Sequence, residues 1–155
     1  MTAISSNKAF TVKTTFNRET SVSTDIEADP AIIWALLTNA SDYPRWNSTV
    51  VSIAGNIVPG EKIKLKSTLD PKRTFTLKVK EAEPEKKLVW GDGQGNRVYT
   101  LTNQGGGIVK FSMHEKIGGL MFPLYAKYIP PFDQSFEQFV SDLKKEAELI
   151  HNNKM

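Results

Sequence analysis

Arg97, Tyr99 and Glu115 are the residues of this sequence best placed to do chemistry. In Arg97–Asn103 the alternating positions Arg97, Tyr99 and Leu101 share one side of a strand, and in Ile108–Lys116 Val109, Phe111, Met113 and Glu115 share one side. The two runs flank a Gly105–Gly107 turn and read as a hairpin. A guanidinium and a carboxylate that both point into a low-dielectric space must pair with each other or meet a polar ligand. They read either as a polar anchor inside an apolar pocket or as a salt bridge at its rim. Tyr99 reads either as a hydroxyl offered to a ligand or as ordinary core. In an enzyme, Glu115 and Tyr99 would serve as the acid–base pair and Arg97 would stabilise an enolate. No histidine falls on the inward set, which weighs against catalysis and leaves no catalytic residue assigned.

The remaining reactive residue types exclude more than they suggest. The chain has no cysteine, which removes disulfides, thiolate zinc sites, iron–sulfur clusters and cysteine nucleophiles. His114 alternates outward and His151 lies in the tail, with no further ligand at useful spacing, so no metal is expected. Ser135 and Ser141 lack a histidine partner. The glycines of Gly91–Gly95 lead into a strand rather than a helix, so they read as a hairpin turn and not as a phosphate loop. Nothing in the sequence asks for a cofactor.

The elements that must hold these residues follow from hydrophobic period. Val22, Thr24 and Ile26 mark a strand over Thr20–Glu27, preceded by a polar lead-in over residues 1–18 in which Phe10, Val12 and Phe16 hint at a short extra strand. Asp29-Pro30 is a helix start, followed by Ile32, Ile33, Leu36 and Leu37, and a second short helix is expected over Ser41–Trp46. Strands then follow at Val50–Ile53, Glu61–Ser67, Arg73–Glu83, around Leu88 and Trp90, and in the Arg97 and Glu115 hairpin. Short Gly/Asp/Asn/Pro turns between them imply antiparallel pairing. Phe132, Phe136, Phe139, Val140, Leu143, Ala147 and Ile150 form one stripe of a long last helix, and Pro130-Pro131 should break any helix entering from Phe122–Tyr128. A strongly curved sheet over a single helix leaves unfilled space, with a mouth expected near the kinked segment and the strand turns.

At 155 residues the chain is one domain long, and its net charge of +3 is interspersed rather than clustered, so no nucleic-acid groove is expected. Met1–Phe10 is polar without an apolar signal core, and the longest apolar run, Ile32–Leu37, is far short of a membrane span. The expected location is cytoplasmic.

Asp29-Pro30-x-x-Ile33-Trp34-x-x-Leu37 and Tyr43-Pro44-x-Trp46-Asn47 resemble the opening of the START-like superfamily, in particular its polyketide cyclase/dehydrase and lipid-transport branch, often called SRPBCC. The strand ending near Glu115, the Gly118-Gly119-Leu120 turn, the aromatic and proline-rich approach and the long helix resemble its closing part. The resemblance implies an α+β helix-grip fold: a curved antiparallel sheet of about six or seven strands around a long C-terminal helix, with two short helices between strands one and two. It implies a single ligand-binding domain over residues 19–151, with residues 1–18 a lead-in or part of an extended first strand. It also implies a hydrophobic cavity between sheet and helix holding a lipid-like or aromatic small molecule. Phe75, Leu77, Trp90, Arg97, Tyr99, Phe111, Met113, Glu115, Phe122, Phe132 and Phe136 are the expected lining. In this setting Trp34, Trp46 and Tyr43 read as packing of the helical corner. Three functions stay open: a binder or carrier, a cyclase or dehydratase acting in the same cavity, and an interaction module without an open cavity. The Met121–Tyr128 segment reads as an apolar lip, a homodimer surface or a membrane-surface contact.

Overall fold

Alternation becomes pairing in the computed structural model, which describes residues 7–154. The Met1–Ser6 part of the lead-in lies outside the described residues. Eight strands form one antiparallel sheet: β1 (Phe10–Lys13), β2 (Asn17–Ile26), β3 (Val50–Ala54), β4 (Lys62–Ser67), β5 (Phe75–Glu83), β6 (Lys87–Gly91), β7 (Gly95–Asn103) and β8 (Val109–Gly118). Their order is β1-β2-β8-β7-β6-β5-β4-β3. Eight strands replace the expected six or seven because β1 pairs in full with β2, from Phe10 opposite Ser21 to Lys13 opposite Arg18. The inward alternation of β2 also runs back past Val22 through Thr20 to Arg18, all of them buried. Register shifts at Val50/Ser52 and at Val79/Glu81 bulge the sheet and increase its local twist and bend.

β2 and β3 are consecutive in the chain yet lie far apart in the sheet. The chain crosses between them on α1 (Pro30–Thr38), a 3-10 turn (Ala40–Asp42) and α2 (Tyr43–Trp46). Asp29 caps α1, its carboxylate accepting from the Ala31 amide at 2.8 Å, with Pro30 at the first helical position. The corner is locked by the buried Tyr43 hydroxyl, which donates to the Leu37 carbonyl at 2.7 Å, and by Tyr43 and Trp46 ring contact at 5.0 Å.

The long helix α4 (Asp133–Asn153) starts after Pro130-Pro131, as the prolines require. Ahead of it come the single turn α3 (Phe122–Tyr125) and a 3-10 turn over Ala126–Tyr128. Phe136, Phe139, Val140, Leu143 and Ala147 of α4 are buried against the inner face. Phe139 stacks on Tyr99 at 5.5 Å and on Phe111 at 6.5 Å, so aromatic rings fill most of the space over the middle of the sheet. No helix among the described residues is long and apolar enough to cross a membrane.

Candidate functional site

The packing fails at one end. A cavity of about 190 Å³ lies where β4 to β8 run out beneath the segment that leads into α4. Leu65, Phe75, Leu77, Trp90, Ile117 and Phe132 give it apolar walls, and Tyr128, Ile129 and Pro130 stand over it. The β4–β5 and β6–β7 connections supply Leu69, Asp70, Arg73, Asp92 and Gln94 to its rim. The mouth is therefore beside the kinked segment and the strand turns. The body of the cavity is displaced from the expected space under the long helix, because Phe139 has already filled that space.

Arg97 and Glu115 are both on the cavity wall. They stand directly opposite each other in the β7–β8 ladder, and Arg97 Nε donates to Glu115 Oε1 at 2.5 Å. Their side chains are 19% and 16% exposed. Burial opposes the Arg97 charge, but Glu115 and Tyr99 outweigh it, so the guanidinium holds its proton more firmly than a free arginine. The guanidinium also lies 5.0 Å above the Phe136 ring. Among the described residues no carboxylate or carbonyl oxygen accepts from its two terminal nitrogens, and the Tyr99 hydroxyl lies near the guanidinium. The pair thus presents spare donors beside a carboxylate on an otherwise apolar wall, which suits one polar group on a small apolar molecule.

Four of the other expected lining residues also reach this cavity: Phe75, Leu77, Trp90 and Phe132. Tyr99 does not. It lines a second chamber of about 30 Å³, deeper than the first and sharing Leu65, Ser67, Trp90 and Arg97 with it. Its hydroxyl is buried without a hydrogen-bond partner, and burial pushes its pKa up to about 12 against the pull of Arg97. Phe111, Met113, Phe136 and Phe122 line neither space. Phe111 is sandwiched with Tyr99 and Phe139, Met113 is buried in the same core, and Phe136 lies beneath Arg97, stacked on Phe132 at 5.8 Å. Phe122 turns inward and meets Tyr125 edge-on at 5.6 Å.

Arg18 is the residue that sequence reasoning missed. It is buried on β2, stacks 4.8 Å over Phe132, and donates to the Ile129 carbonyl at 3.2 Å and the Pro130 carbonyl at 2.9 Å. Its Nε has no partner. Burial lowers its pKa, while Glu115 and Asp133 pull it back up. The signal was the alternation of Val22, Thr24 and Ile26, which extends to Arg18 once Thr20 is counted inward. Arg18 thereby ties the cavity roof to the sheet. His114 faces outward near Glu19 at 3.5 Å, and no group of three or more metal-ligating side chains occurs among the described residues.

Solved structures share this architecture. A START superfamily protein from Mycobacterium smegmatis matches 85% of this chain and 98% of its own, with TM-score 0.62 and 12% identity. A conserved protein of unknown function from Enterococcus faecalis matches 89% of this chain and 75% of its own, at TM-score 0.64 and 16% identity. The di-domain ARO/CYC StfQ from the steffimycin biosynthetic pathway matches 86% of this chain and 46% of its own, at TM-score 0.62 and 10% identity, so this chain spans about half of that protein. At these identities the likeness establishes the fold alone. No curated protein matches the sequence. Residues 17–148 match the family described as polyketide cyclase / dehydrase and lipid transport, and with its START-like helix-grip fold this chain belongs to that family.

Proposed function

We propose that the chain binds or carries a compact, largely apolar molecule bearing one polar group, seated at the open end of the sheet. The observation that supports this best is the Arg97–Glu115 pair, placed on the wall of an apolar cavity with donor capacity to spare. The volume of about 190 Å³ is below the roughly 300–1,000 Å³ of pockets for drug-sized ligands. That favours one or two rings or a short chain over a diacyl lipid. With an open cavity present, the reading as a module without one is set aside.

The enzymatic reading draws on StfQ and on a putative protein in the dynemicin biosynthetic locus, both from biosynthetic settings. The residues of this cavity favour a carrier. Glu115 is engaged by Arg97, Tyr99 is screened from the main cavity and keeps its proton, and no histidine lines either space. Native mass spectrometry of the purified chain should show a small molecule of defined mass, and Leu77→Trp, which fills the cavity, should strip it while the fold persists. A chain that is always empty, and whose affinity for small aromatic probes ignores Leu77→Trp, would overturn the proposal. Glu115→Gln separates the two readings, because it abolishes turnover in an enzyme and only weakens binding in a carrier.

A further inference from the structure

We propose that the ridge Leu120–Tyr128 seats this protein on an anionic lipid bilayer, with the cavity mouth facing the hydrocarbon. The ridge carries four large apolar side chains turned to water: Leu120 is 86% exposed, Met121 62%, Leu124 66% and Tyr128 74%. Phe122 takes the inward side of the α3 turn, which leaves its neighbours no core to enter. The display is held at both ends. The Gly119 amide donates to the Phe16 carbonyl at 2.9 Å, beside the half-exposed Phe16 ring, and Arg18 grips the carbonyls of Ile129 and Pro130. Gly118 has to be glycine here, since a side chain would collide with the Phe16 carbonyl.

Charge selects the partner. Lys127 lies within the ridge, 5.2 Å from the Tyr128 ring. Lys13 ends the strand leading into the Phe16 turn, and Lys72 and Arg73 lie in the β4–β5 connection that shares the cavity rim with Tyr128; all four cations are exposed. The acids at this end are Asp70, Asp92, Glu115 and Asp133, of which three are engaged: the Asp92 carboxylate is turned onto the Gln94 and Gly95 amides, Glu115 accepts from Arg97, and Asp133 accepts from Thr11. Apolar tips set among cations fit a bilayer bearing negative headgroups. A second copy of the chain fits less well, because four tips fall far short of the roughly 20–30 residues a side of a standard interface. Tyr128 belongs both to the ridge and to the cavity, so an apolar ligand could pass between hydrocarbon and cavity without crossing water.

Flotation of the full chain with vesicles tests this. Binding is expected on phosphatidylcholine vesicles containing phosphatidylglycerol, and much less on phosphatidylcholine alone. Leu120→Ser/Leu124→Ser should cut it by roughly tenfold or more, and Lys127→Gln by a few-fold. Both variants change exposed positions and should keep the wild-type circular dichroism. No flotation on the anionic vesicles, or flotation unchanged in the double serine variant, overturns the proposal. So does a dimer in sedimentation velocity that the same variant disperses, since the ridge would then belong to a second copy. None of these readings depends on whether the cavity holds a ligand.

Discussion

Tyr99 carries a buried hydroxyl without a partner, and that is an energetic liability with a readable signature. Tyr99→Phe keeps the ring between Trp90, Phe111 and Phe139 and removes only the oxygen. Its unfolding free energy from urea denaturation at neutral pH should be unchanged or higher, by up to about 1 kcal/mol. The sign of the pH dependence follows from the raised pKa. An unfolded tyrosine ionises near 10, whereas Tyr99 in the fold holds its proton to about 12. The folded state is therefore fully favoured below about pH 10, and this contribution is lost as pH rises towards about 12. Wild type should lose stability over that window, and Tyr99→Phe should lose less. The buried Tyr43, raised well above its ordinary value chiefly by burial, keeps some of the loss in the variant. Glu115→Ala should cost about 1–3 kcal/mol in urea denaturation, a moderate penalty because the cavity gives the abandoned guanidinium some access to water. The facing of Arg97 and Glu115 was legible in the sequence, since a period of two leaves no other side for them. The isolation of Tyr99 from the main cavity was not, because it depends on how Trp90 and Arg97 pack over it.

Among the elements, the Arg18 tether decides how firmly the cavity is roofed. Arg18→Met retains apolar cover over Phe132 and deletes both bonds to the Ile129 and Pro130 carbonyls. The expected result is faster amide hydrogen exchange over 126–132, with α4 beyond Phe139 unaffected. Equal exchange in wild type and variant would show that Pro130-Pro131 and Phe132 hold the segment without it. Strands β2 to β8 and the stripe of α4 were legible because each follows a single period over many residues. Arg18 escaped because it falls where a polar lead-in and a strand meet, and only Asn17 marks the turn at that boundary. Phe75 and Phe111 are indistinguishable by alternation, yet one lines the cavity and the other is core. The difference is set by how far along the sheet Phe139 reaches, which no strand pattern records.

The whole molecule depends on its N-terminal hairpin as an edge cover. β1 shields β2 and is itself fixed to α4, through Thr11 Oγ1 donating to Asp133 at 2.7 Å and the Ala9 amide donating to Glu137 at 2.8 Å. Deleting the chain through Lys13 should lower the melting temperature and expose β2 as a long bare edge. Light scattering should then report association that grows with protein concentration. The sheet order carries a further consequence for how the protein is made. Ile26 pairs with Val109 and Asn17 with Gly118, so β2 emerges from the ribosome long before its partner exists. The meander β3 to β7 has only local partners and can zip up as it appears, whereas the seam between β2 and β8 must wait for nearly the whole chain. Closing that seam brings Arg18 up beside Glu115 and the cavity roof, so a nascent chain has no binding site until its last strand is in place.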